Sequence, residues 1–166
     1  MKRTIFIFLL IALGSGNLFA QAEITQEEYD FYAKFLRCQC VIERFTESIH
    51  PRYIKAAKKK MPQISQELLE DFSLKNKQSY RIEDKLKGFR FTDQPKPNFD
   101  AGKEIVFNFD LIITVSRVGF TRDKKQALVF RSPYSEATTG GTTAIYWLVY
   151  KDGDWEIKDY YQPWIH

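Results

Sequence analysis

Cys38 and Cys40, separated by Gln39, are the only cysteines in a chain of 166 residues. Residues i and i+2 of a strand point the same way about 7 Å apart, at the edge of disulfide reach. On a helix they diverge. The pair therefore has three readings: two buried thiols, an intermolecular or strained bridge, or part of a soft-metal site. A metal would want more ligands than this stretch offers, with His50 the one histidine nearby in sequence, so no metal is expected. A Cys38 or Cys40 nucleophile served by His50 is one route to covalent chemistry that the spacing leaves open.

Other catalytic chemistry has little support. His50 and His166 are the only imidazoles, which argues against a Ser-His-Asp site. No GxSxG elbow, HExxH pair, Walker loop or GxGxxG occurs, and Gly140-Gly141 lacks the lysine that completes a phosphate cradle. That glycine pair reads as turn chemistry, and no cofactor is expected. Carboxylates such as Glu104, Asp110 and Asp159 are available as acid–base partners, but spacing selects no pair.

Ser116 and Arg117 stand within Ser116–Phe130, the most patterned stretch of the chain. On a regular strand their side chains point to opposite faces, so at most one enters the core. A buried Arg117 needs an acid, with Glu104, Asp110 and Asp159 as candidates, because an unpaired buried charge is too costly. Alternatively its planar fork receives a ligand carboxylate or phosphate, in a pocket with Ser116 and a tyrosine such as Tyr146.

The elements that must position these residues begin after an export signal. Lys2 and Arg3 precede the apolar run Ile5 to Leu13, and Ala20-Gln21-Ala22 fits small-x-small cleavage, so residues 1–22 read as a signal peptide cut after Ala20 or Ala22. An exported protein, periplasmic or extracellular, is expected, with no transmembrane anchor in the mature chain. Residues 23–166 suit one domain with a real core. Losing Lys2 and Arg3 brings the formal charge of +4 closer to balance, and the one dense basic run is Lys55 with Lys58-Lys59-Lys60. Such a run reads as a solvated face, so no nucleic-acid partner is expected.

Thr25-Gln26-Glu27-Glu28 is a capping box, which predicts a helix carrying Phe31, Tyr32, Phe35 and Leu36 on its core face. Cys38 to Phe45 reads as a short strand. A basic helix spans Arg52 to Lys60, and another is capped by Ser65 with Leu68, Leu69 and Phe72 inward. The polar stretch from Lys75 to Asp100 reads as an irregular connection. From Ile105 onward β-branched residues dominate. Strands are expected at Phe107–Val118, Gln126–Arg131 and Thr142–Tyr150, with a fourth from Trp155 to Lys158. Turns fall at Arg122–Lys125, Thr138–Gly141 and Asp152-Gly153, and Gly119 marks a bulge or strand end. Thr142–Tyr150 is apolar on both faces and so belongs inside the sheet. Together these predict an α+β domain: N-terminal helices packed in two layers on a C-terminal antiparallel β-meander of about four strands, compatible with an NTF2-like or cystatin-like arrangement.

S-R-V-G-F at 116–120, Q-A-L-V at 126–129, Gly140-Gly141, G-D-W-E-I and a final W-I resemble a pattern shared by a family of uncharacterised exported bacterial proteins. The E-E-Y-D-F-Y helix and Val41-Ile42 are similar to that family's opening, so the resemblance spans most of the mature chain. It implies export and a common fold, but no activity and no catalytic residues, and Cys38 and Cys40 are outside the pattern. The composition, with 16% aromatic residues, points to a β-rich core with some aromatic surface. The expected function is non-enzymatic binding of a protein or small ligand. The alternative is a small envelope hydrolase using carboxylates or a cysteine in a helix–sheet cleft.

Overall fold

Thr25 starts the first helix as its spacing predicts: its side chain accepts the Glu28 amide, and the Glu28 carboxylate reaches back to the Thr25 amide. The computed structural model describes residues 23–37, 40–93, 111–134 and 142–163. Within them the order is α1 (Gln26–Phe35), β1 (Val41–Glu43), α2 (Pro51–Lys60), α3 (Gln66–Lys75) and β2 (Arg90–Thr92). Then follow β3 (Ile112–Val115), β4 (Gly119–Phe120), β5 (Gln126–Tyr134), β6 (Ala144–Lys151) and β7 (Asp154–Tyr161). The strands form one mostly antiparallel sheet in the order β2-β1-β3-β5-β6-β7, with β4 also on β5. The fold class is α+β. Among the described residues no helix is long and apolar enough to cross a membrane.

The sheet is larger and more mixed than a four-strand meander. β5, β6 and β7 are consecutive antiparallel neighbours, but β1 from the N-terminal half pairs in parallel with both β2 and β3. β2 lies in the stretch read as an irregular connection. A three-residue strand of Arg90, Phe91 and Thr92 has no alternation long enough to announce itself. Residues 76–89 are otherwise irregular, yet Ile82 and Leu86 anchor them in the core, and residues 94–100 lie outside the described residues.

Helices cover both faces, so the layers number three where two were expected. Tyr29, Phe31, Tyr32 and Leu36 of α1 pack with Ala127, Val129, Ala144, Tyr146 and Leu148 on one face. Ile54, Ala57, Leu68 and Phe72 of α2 and α3 pack with Leu128, Phe130, Ile145 and Trp147 on the other. Full burial of each such side chain contributes roughly 1.5–3 kcal/mol. This explains why β6 is apolar on both faces: it is an interior strand covered from both sides.

The β6–β7 connection is the expected two-residue turn, with Asp152 at φ 51° and Gly153 at φ 89°. β7 is an edge strand. Its Trp155 and Tyr160 amides are taken by the Asp154 and Asp159 side chains, each at 2.8 Å, which blunts that edge against further strand pairing.

Candidate functional site

The strand expected to run to Val118 is interrupted. Val115 pairs with Arg131, whereas Gly119 pairs with Leu128, so Ser116, Arg117 and Val118 face only Val129 and Phe130 across the ladder. One extra residue makes this a β-bulge. It falls at Arg117, ahead of the glycine expected to mark it.

Every backbone group in the bulge finds a partner. The Ser116 amide donates to the Phe130 carbonyl at 3.0 Å, and the Ser116 carbonyl accepts from the Tyr32 hydroxyl at 2.7 Å. Asn76 reads both groups of Arg117, its Oδ1 accepting from the amide at 2.8 Å and its Nδ2 donating to the carbonyl at 3.0 Å. Val118 donates to Glu28 Oε1 at 3.0 Å and accepts from Lys75 Nζ at 3.1 Å. Such accounting is what a buried, non-ladder segment requires.

Glu28 ties this bulge to α1. Its carboxylate is fully buried and accepts from Arg117 Nε at 3.1 Å and Nη2 at 2.7 Å, besides Val118 and the Thr25 cap. Arg117 Nη2 also donates to the Glu23 carbonyl at 3.0 Å, and the guanidinium lies 4.7 Å from the Tyr80 ring centroid. Burial alone would lower the Arg117 pKa, but the hydrogen bonds and charge of Glu28 hold it above its ordinary value. Among the described residues the acid partner of Arg117 is thus Glu28, which the sequence reading did not name. Of the acids it did name, Asp159 is exposed on β7, and Glu104 and Asp110 lie outside the described residues.

The remaining sequence candidates are placed as follows. Ser116 is fully buried, its hydroxyl accepting from the Phe130 amide at 2.9 Å and donating to the Arg117 carbonyl at 2.8 Å. Ser116 and Arg117 are buried together, unlike the strand expectation, because a bulge abandons strict alternation and helices cover both faces. Tyr146 packs on Phe35 and Tyr160 in the α1-side layer, its hydroxyl donating to the Thr142 carbonyl rather than to Ser116 or Arg117, and burial raises its pKa. Cys40 is buried and disulfide-bonded, so it holds no thiolate here. Cys38 lies outside the described residues, as do Gly140, Gly141 and His166. His50 caps α2, its Nδ1 accepting from the Arg52 amide at 3.2 Å. Among the described residues no cluster of three metal-ligating side chains occurs.

Tyr32 gives the network a pH signature. Burial, reinforced by the Glu28 charge and opposed by Arg117, raises its pKa well above the ordinary phenol value. Unfolded tyrosine ionises near about 10 while folded Tyr32 keeps its proton, so stability is lost as pH rises beyond that point. Tyr32→Phe should cost about 1 kcal/mol near neutrality, where the Ser116 carbonyl loses its donor. It should also flatten the alkaline fall. Urea unfolding from pH 7 to 11 checks this, and an unchanged slope would count against it.

Among the described residues, two solvent-open clefts bear on function. The larger, about 440 Å³, is lined by Tyr29, Tyr80 and charged residues of the irregular 80–85 segment, beginning at Glu23. The smaller, about 240 Å³, is built on regular elements: Phe31 and Lys34 of α1, Phe120 of β4, Tyr150 of β6 and Trp155 of β7. The comparisons bring no assigned site to either. No protein-family model, curated protein or solved structure matches this chain.

The geometry favours the smaller cleft as a recognition site, since strands and helices hold side chains more firmly than an irregular segment. Trp155 lies 5.1 Å from Phe31, 5.2 Å from Tyr150 and 6.0 Å from Phe120 between ring centroids, a connected aromatic floor. Lys34 stands over Tyr150 and donates to the Gly153 carbonyl at 3.0 Å, while Lys124 stands over Phe120 and pairs with Glu27 at 2.8 Å. The floor continues along β7. Ile157 lies across from Leu148 and Tyr160 across from Tyr146, on the same face as Trp155. Ile157 is 54% and Tyr160 51% exposed, so an apolar strip leaves the cleft in the direction of the strand. Reading the sequence residue by residue missed this assembly, although the Asp152-Gly153 turn already sets Tyr150 opposite Trp155.

Proposed function

We propose that this protein is an exported, non-enzymatic binding domain that takes an extended partner along the Trp155 cleft and the β7 strip. The observation that carries this reading is the exposed strip of Tyr150, Ile157 and Tyr160 around the half-buried Trp155 at the edge of the packed core. Large exposed aromatic surface supplies binding energy at small entropic cost, and the paired charges on its rim supply orientation. Arg117 and Ser116, the polar groups best suited to a ligand by chemistry, are instead engaged within the fold. Export rests on the Lys2-Arg3 and Ile5–Leu13 pattern.

The test is capture. The native protein, purified from the compartment to which it is exported, should carry a specific co-purifying molecule identifiable by mass spectrometry. Trp155→Ala should lose that molecule while keeping its circular dichroism spectrum. Truncating a central aromatic anchor costs about 2 kcal/mol or more of binding. Retention of the same molecule by Trp155→Ala would remove the cleft from consideration. Chemical conversion of the captured molecule by the native protein would restore the hydrolase reading.

A further inference from the structure

α2 gathers exposed cations on one helix with no acid among them. Arg52, Lys55, Lys59 and Lys60 are exposed, and no acid occurs from Ser48 to Gln66. Several exposed cations elsewhere are matched, Arg37 with Asp154, Arg44 with Asp84, Arg122 with Glu67 and Lys124 with Glu27, while ones unpaired among the described residues, such as Lys77, Lys87 and Lys151, are scattered along the chain rather than gathered on one helix. None of Lys55, Lys59 and Lys60 has an ion pair among the described residues. The elements packed on α2 offer exposed acids, Glu70 of α3 and Glu156 and Asp159 of β7, yet none pairs with it.

Helix stability accounts for only part of this pattern. Cations in the last turn complement the helix dipole, and Lys58 caps the carbonyls of Pro62 and Ile64. Arg52 in the first turn opposes the dipole, with no acid beside it. Arg52, Lys55 and Lys59 follow i, i+3, i+7 spacing and so form one stripe, about 10 Å of helix in length. Ile54 and Ala57 are buried against the sheet, which turns the stripe outward.

We propose that the solvent face of α2 docks on an anionic phospholipid bilayer. The stripe is convex and has no large apolar side chain to insert, so it suits a flat field of negative headgroups rather than a groove-bound ligand. α2 covers the face of the sheet opposite α1 and Trp155. Docking therefore leaves the aromatic cleft turned away from the membrane.

Vesicle co-sedimentation of the purified protein tests the proposal. Phosphatidylglycerol–phosphatidylcholine vesicles should bind it and pure phosphatidylcholine should not, with affinity falling as salt rises. Each lysine near an anionic surface is worth about fivefold in affinity. The triple variant Lys55→Gln, Lys59→Gln, Lys60→Gln should thus lose on the order of a hundredfold. A control triple of the same charge, Lys77→Gln, Lys87→Gln, Lys151→Gln, should bind like the parent, as should Trp155→Ala. The proposal is overturned by equal binding to neutral vesicles, by no binding to anionic ones, or by equal loss in both triples. It is also overturned if a soluble polyphosphate binds the parent while vesicles do not. Because Trp155→Ala leaves α2 intact, failure of the cleft reading and failure of the docking reading give different results.

Discussion

Arg117→Ala should unfold the protein or bring it close to unfolding. Removing the guanidinium leaves the Glu28 carboxylate, with no exposed surface, facing the core without its counter-charge. Breaking a buried pair in this way costs about 3–5 kcal/mol, against a total stability of about 5–15 kcal/mol for a domain. The bulge also loses the clamp that holds it to α1 and to the Glu23 carbonyl. Thermal unfolding followed by circular dichroism should show a fall in midpoint larger than for any exposed substitution such as Lys77→Ala. Glu28→Ala should be comparably severe, since it orphans the Val118 and Thr25 amides as well. In a double-mutant cycle the two changes should be strongly non-additive, the double variant being more stable than the sum of singles implies. An Arg117→Ala protein with an unaltered midpoint would mean that the arginine serves a ligand after all.

Gly119→Ala is the second change with a large expected effect. A Cβ at Gly119 would lie 2.6 Å from Phe72 Cβ, 2.7 Å from its Cα and 2.8 Å from its backbone nitrogen. These atoms belong to the α3 backbone or are fixed to it, so no rotamer change relieves the contact. Helix α3 must move off β4, or β4 must leave β5. Overpacking of this kind costs about 1–3 kcal/mol, and the backbone contact places this case at the upper end. Phe72→Ala should not rescue it, because the clash is with atoms alanine retains. Gly153→Ala is the instructive contrast, for its φ of 89° penalises a side chain while the space around it is open. Urea midpoints of the three variants decide the matter, and a Gly119→Ala protein as stable as the parent would refute the close approach.

These two positions also show why part of the structure was legible and part was not. Thr25 and Glu28 are three residues apart, and a capping box is a local code, so the start of α1 was readable. The same carboxylate's second partner is 89 residues away, and nothing local marks Glu28 as the acid that Arg117 needs. Gly119 looked like punctuation in a strand pattern. Its reason is the backbone of Phe72, which only the packing of α3 on β4 brings near. Likewise β2 was missed because its partner is β1, far along the chain, and a three-residue parallel strand depends on that partner for its identity.

The aromatic cleft follows the same division. Phe31 was legible as part of a helical stripe, Trp155 as the start of the fourth strand, and the Asp152-Gly153 turn as the register of the hairpin. Their convergence with Phe120 and Lys124 depends on the angle at which α1 crosses the sheet edge, which no periodicity records.

Sequence by itself determined the α+β class, the helix starts at Thr25 and Ser65, the second helix to within one residue (Arg52 expected, Pro51 with a His50 cap observed), the β6–β7 hairpin and the interior place of β6. Each of these is set by short-range rules: caps within three residues, alternation along one strand, and positive φ at a turn. Tertiary structure alone decided that helices cover both faces, that Arg117 belongs to Glu28, and that four aromatic rings meet in an open cleft. Those outcomes are choices among distant partners, made by total burial and by the need to satisfy every buried polar group at once.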